Sequence, residues 1–250
     1  MMELNILHVY PDLMNLYGEY ANLAVLRRHL EALDVEVHIR TALLEDAPDF
    51  DTVDMIYMGA GTERGQKAAL TALTPYAGKL KEAAGRGAVL LFTGNAMETL
   101  GASVTDADGK VWPGLGLAEY ATVETKKRVS TDVVATSTTV PATSVGFMNK
   151  CSITRGVVSP LFDSLSSGFG NEEDCGPEGF TLGNVFATHV TGPVLVKNPV
   201  FTDLIIQRLF ALRGWDLPEK LPVLPHEQEA HDVTLEELSQ NGDRQKASLT

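Results

Sequence analysis

Short continuous apolar runs alternate with amphipathic stretches over the first hundred residues. Residues 3–10 (ELNILHVY) read as a buried strand. Over residues 16–33, Leu16, Ala21, Leu23, Leu26, Leu30 and Leu33 recur at near-helical spacing and predict an amphipathic helix. Val35, Val37 and Ile39 alternate as a second strand, and Val53 to Met58 form a third that ends at the turn Gly59-Ala60-Gly61. Residues 63–84 predict another helix, and Ala88 to Thr93 a further, fully apolar strand. Continuous apolar strands separated by helices indicate a mostly parallel sheet covered on both faces. Function in such sheets gathers at the carboxyl ends of the strands, which singles out residues 59–66 and 93–98.

From about residue 104 the texture changes to short Thr/Val-rich segments such as Ser130–Ser137 and Thr143–Phe147, which predict antiparallel hairpins added to the α/β core. Residues 168–179 (GFGNEEDCGPEG) read as a loop. Asn184–Val190 and Pro193–Val196 read as strands, and Pro199–Arg213 as a closing helix. The sequence thus divides into a domain over residues 1–215 and a Pro-, Glu- and Gln-rich tail over 216–250, flexible or partner-docking. Within the tail, the amphipathic piece starting at Val233 is the candidate docking element.

Composition narrows the function classes. The 250 residues are 44% hydrophobic and 21% charged, with a formal net charge of −13. An acidic surface of this kind disfavours nucleic acid and anionic membrane as partners. There is no apolar run long enough for a membrane span and no signal-peptide pattern at the N-terminus, so a cytoplasmic protein is expected. The two cysteines, Cys151 and Cys175, are too few for a zinc cluster, and no phosphate-binding loop or helical histidine pair is present. Neither a metal nor a cofactor is expected.

Candidate chemistry centres on Val89–Gly101, which reads as strand, tight turn and helix start, the layout of a nucleophile elbow. An ordinary strand-to-helix turn has the same pattern. Three further stretches change the picture: Tyr10-Pro-Asp-Leu-Met-Asn-Leu-Tyr-Gly with Asn22, Gly146-Phe-Met-Asn with Gly168-Phe-Gly-Asn, and Thr188-His-Val-Thr-Gly-Pro-Val-Leu-Val-Lys-Asn-Pro. Together with Gly59-Ala-Gly-Thr-Glu-Arg-Gly-Gln66, this order resembles the cobyric-acid-synthase-like class I glutamine amidotransferases. It is most similar to the glutaminase-subunit branch of lipid II isoglutaminyl synthase, over residues 3–213.

The resemblance implies a flavodoxin-like class I amidotransferase fold, with a mostly parallel central sheet, helices on both faces and antiparallel hairpin additions. It also implies glutamine hydrolysis by an elbow cysteine and a histidine on a later strand. The released ammonia would pass to a Mur-ligase-like, ATP-dependent synthetase subunit in a heterodimer that amidates the D-glutamate of the lipid II stem peptide. Family members carry Cys-Gly-Gly-Tyr-Gln at the elbow; here Gly94, Asn95, Ala96, Met97 and Glu98 stand in those places. The family's Thr-Tyr-Leu-His-Gly-Pro becomes Thr188-His189-Val190-Thr191-Gly192-Pro193. Nucleophile and base positions are therefore held by Gly94 and Thr191.

Amide hydrolysis at neutral pH requires an activated nucleophile and a base, so the expectation is a degenerate glutaminase subunit. One alternative is an active glutaminase with a rearranged site. His189 is its candidate base, although a structural histidine fits the same pattern. Another is a non-catalytic module that binds a small amide or amino acid. Arg128 matches an arginine that holds the glutamine carboxylate in the relatives, a task suited to its planar fork; it also reads as a surface cation in the Lys126–Arg128 cluster. Gly59, Gly61 and Asn95 complete the expected ligand contacts. Neither Cys151 nor Cys175 is on the elbow, and both are expected to be inert.

Overall fold

The computed structural model describes the backbone of residues 1–247 and the side chains of residues 1–240. Six strands form the main sheet: β1 (Met2–Val9), β2 (Val35–Ala42), β3 (Met55–Met58), β4 (Val89–Thr93), β10 (Phe180–Leu182) and β11 (Val185–Thr188). Their order is β10-β11-β4-β3-β1-β2, parallel throughout except for β10. Side chains alternate across a strand, so each apolar run feeds two cores. Ile6, Tyr57 and Leu91 enter one, against α1 (Ala21–Glu31) and α6 (Pro199–Arg213). Leu7, Ile56 and Leu90 enter the other, against α2 (Glu63–Leu73), α3 (Ala77–Gly85) and the short α4 (Ala96–Thr99).

A second sheet carries the order β6-β5-β7-β8, built from β5 (Ser103–Thr105), β6 (Val111–Pro113), β7 (Ala121–Thr136) and β8 (Ser144–Arg155), with β9 (Ser164–Ser167) paired to β7. The long β7–β8 hairpin shifts register between Glu124 and Val129. Such an irregularity re-aims side chains at the edge of a sheet, and Lys126–Arg128 lie within it.

Three expectations need correction. The helix predicted over 16–33 is a short 3₁₀ turn at Leu16–Gly18 followed by α1, because Tyr17 adopts a left-handed conformation (φ 60°) that no α-helix accommodates. The helix predicted over 63–84 is two helices, broken at Thr74-Pro75-Tyr76, where proline removes a backbone donor. Pro193–Val196 is not a strand. Pro193, with φ −62°, caps the one-turn helix α5 (Val194–Lys197), which buries Val194 and Leu195.

The region 216–250 contains α7 (Glu227–Ala247). The Glu227 carboxylate meets the buried His29 ring at 2.9 Å, and His231 Nδ1 lies 2.8 Å from the Lys197 carbonyl oxygen, so the start of α7 is laid on α1 and α5. Residues 248–250 of the expected tail lie outside the described residues. Among the described residues, no helix is long and apolar enough to cross a membrane.

Candidate functional site

β4 runs fully buried through the sheet and ends at Gly94, whose φ of 61° turns the chain sharply before Asn95 and α4. Glycine adopts this conformation without a Cβ penalty. A cleft of about 120 Å³ opens beside the turn. Gly94, Asn95, Gly61, Arg128 and Thr191 line it together, as do Cys151 and Ser152. Gly59 and His189 do not. A larger groove of about 630 Å³ shares Glu63 and Glu124 with the cleft, but the rest of its wall, which mixes alanines, Leu44 and Trp112 with Arg64, Lys67, Asp106 and Asp108, does not include the elbow turn at Gly94. Convergent polar groups at the strand ends make the smaller cleft the candidate site.

The elbow is crowded on its cleft side. A Cβ built on Gly94 would stand 2.4 Å from Ala60 Cβ, 3.1 Å from Ala60 Cα and 3.2 Å from Thr191 Cγ2. Thr191 thus turns its methyl toward Gly94, while its hydroxyl donates to the Phe147 carbonyl at 3.1 Å. Asn95 clasps the neighbouring turn: Oδ1 accepts from the Gly61 N–H and Nδ2 donates to the Gly61 carbonyl, both at 2.9 Å. The Gly61 amide is therefore already engaged. Gly59 and Gly61 owe their lack of a side chain to the front loop, since a Cβ at either would come within 2.8 Å of Met14 atoms.

Arg128 is also occupied. It donates to Glu63 Oε1 at 2.5 Å and to Asn149 Oδ1 at 2.9 Å. Cys151 donates its thiol to the same Glu63 oxygen at 3.3 Å. Burial, reinforced by that carboxylate, pushes the Cys151 thiol up to about 11, which leaves it protonated and unreactive near neutrality. Cys175 is exposed on the acidic loop.

Behind the cleft, His189 is 1% exposed and held between two buried carboxylates. Its Nδ1 is 3.0 Å from Glu178 Oε1, and its Nε2 is 3.3 Å from Glu98 Oε1. Only a ring carrying both N–H protons donates to both. Glu98 further accepts from Ser152 at 2.5 Å and Gln66 at 2.6 Å, and Glu178 from Thr188 at 2.5 Å. Burial alone would raise both carboxyls, but the hydrogen bonds and the His189 charge outweigh it and hold them below the usual range. Among the described residues, no group of three or more His, Cys, Asp or Glu is arranged to hold a metal ion.

The sequence matches the CobB/CobQ-like glutamine amidotransferase domain over residues 5–199. The chain belongs to this family. It is 29% identical, over 99% of its own length and 100% of the relative's, to the lipid II isoglutaminyl synthase (glutamine-hydrolyzing) subunit GatD of Staphylococcus aureus. The subunit of the same name from Streptococcus pneumoniae is 29% identical over 78% of this chain and 76% of the relative. A solved glutamine amidotransferase superposes with a TM-score of 0.48 at 12% identity, covering 83% of this chain and 98% of that one.

Three features of this family member were not foreseen from sequence. They are the Ala60 methyl against Gly94, the Glu63 carboxylate on Arg128 and the enclosure of His189 by Glu98 and Glu178. An alanine between two crowded glycines was the one local signal for the first. The others join residues far apart in the chain.

Proposed function

We propose that this chain is a glutamine amidotransferase-type subunit that does not hydrolyse glutamine and works beside a Mur-ligase-like, ATP-dependent synthetase in amidation of the lipid II stem peptide. Family membership supports the amidotransferase part of the reading, and the names of the two GatD relatives support the cell-wall part. The loss of hydrolysis rests on one observation: the elbow position carries no nucleophilic atom, and the space for one is filled by Ala60. Thr191, at the base position, offers a methyl there and no proton acceptor. Removal of such groups costs a hydrolase orders of magnitude in rate.

His189 is a poor substitute base in this reading, because both ring nitrogens are already committed to carboxylates. Arg128, Asn95 and Gly61 are the residues we assign to ligand contact at the cleft, with Gly59 supporting the turn from behind. Residues 1–215 make up the amidotransferase domain, and residues 216–250 are an appendage available to the synthetase. In this role the subunit stabilises its partner or binds an amide without turning it over.

The test is glutamate release from L-glutamine, measured with the purified chain alone and together with a copurifying ATP-dependent synthetase. We expect no release above background in either case. Turnover at ordinary amidotransferase rates would end the proposal.

A further inference from the structure

We propose that Glu63 decides what the cleft admits: its carboxylate sits on the Arg128 guanidinium, where the carboxylate of a free amino acid would otherwise bind, and so competes with α-amino acids for entry. This rests on the assignment of Arg128 as a carboxylate anchor, made above. Glu63 stands in the first turn of α2 and reaches across the cleft mouth to the irregular stretch of β7. Its Oε1 takes an Arg128 N–H at 2.5 Å and the Cys151 thiol at 3.3 Å. The far end of the fork is held by Asn149 at 2.9 Å, and Asn149 is in turn fixed by donating to the Tyr17 hydroxyl at 3.0 Å. Two parallel N–H groups of one guanidinium are what a ligand carboxylate needs; here one goes to an internal carboxylate and the other to an amide.

The electrostatics keep Glu63 in this role. Partial burial would raise its carboxyl, yet hydrogen bonds from Arg128 and Cys151 hold it below the usual range, so it is an anion at neutral pH. Cys151 stays a thiol and donates rather than repels. The contact is nevertheless displaceable. The Arg128 and Glu63 side chains are 48% and 39% exposed, and a solvent-screened pair of this kind shifts an equilibrium by about fivefold.

The experiment is calorimetric titration of the full chain with L-glutamine, L-glutamate and propionamide, the last lacking an α-carboxylate. It compares the wild type with Glu63→Ala, Glu63→Gln and the double variant Glu63→Ala/Arg128→Ala, each checked for an unchanged thermal melt. Glu63→Ala is expected to bind both amino acids about fivefold more tightly than the wild type, Glu63→Gln to fall between, and the double variant to lose the gain. Propionamide should not change. Equal affinities in wild type and Glu63→Ala, no binding to Glu63→Ala, or a gain that survives loss of Arg128 would each overturn the inference. Glutamate release followed in the same samples separates the two proposals. Turnover by the wild type ends the inactive-subunit reading and leaves the affinity comparison standing.

Discussion

The two sides of the β4 elbow contrast sharply. Toward the cleft, Gly94 faces an alanine methyl and a threonine methyl, and the nearest amide and guanidinium are bonded to groups of the same chain. Toward the interior, titratable groups are dense. Thr93, one residue before Gly94, donates to the Glu19 carboxylate, which also accepts from Tyr57; His189 lies between Glu98 and Glu178. The cleft side of the elbow thus presents methyl groups to Gly94. Of the interior groups, Glu19, Glu178 and the His189 ring lie off the cleft lining, and only Glu98 reaches it. A perturbed carboxyl or a clamped histidine near a strand end is therefore insufficient to infer catalysis; access decides.

If the interior side is structural, its loss should be felt most in stability. His189→Ala leaves two buried carboxylates without their shared partner and is expected to destabilise the fold by about 3–5 kcal/mol. Urea unfolding measures this, and a loss below about 1 kcal/mol would show that the clamp holds nothing together.

Next in size is a pH effect. Burial pushes Glu19 up to about 7 despite hydrogen bonds from Thr93 and Tyr57. Below pH 4.5 it is protonated whether folded or unfolded. As pH rises toward 7 the unfolded chain ionises first, so about 3 kcal/mol of stability is lost and stays lost above pH 7. His8, lowered to about 4 by burial, acts in the opposite direction, with stability falling as pH drops from 6.5 toward 4. Glu19→Gln removes only the first limb. Its stability relative to the wild type should climb between pH 4.5 and pH 7.5, and a pH-independent difference would refute the assignment.

On the cleft side, Gly94→Cys forces a side chain into a left-handed residue and against Ala60. A loss of roughly 2–3 kcal/mol is expected, with no gain of glutaminase activity. Adding Ala60→Gly should recover part of that loss, as read from melting temperatures; identical melts for the single and double variants would mean that Ala60 is not the obstacle. The smallest effect belongs to Glu63→Gln, which alters a half-exposed pair and should change stability by less than about 1 kcal/mol.

Local pattern made much of this legible. β1, β3 and β4 announce themselves as apolar runs, and α6 is bracketed by Pro199 at its start and Gly214 at its end, the latter at φ 65°. Gly94, Asn95, Arg128 and Thr191 were reached from motif order, and they line one cleft. What escaped depends on contacts between distant residues. A Val-Leu-Val run after Pro193 is too short for its period to separate strand from helix. α7 is polar, and part of its anchorage is the Glu227–His29 pair, which local composition cannot reveal. The enclosure of His189 joins three segments, and no window along the chain contains all three.

The contact between Gly94 and Ala60 also has a consequence for anyone re-engineering this turn. Whatever side chain is installed at Gly94, its first carbon meets the Ala60 methyl. The two positions therefore have to be redesigned as a pair, with room made at residue 60 before any functional group is placed at residue 94.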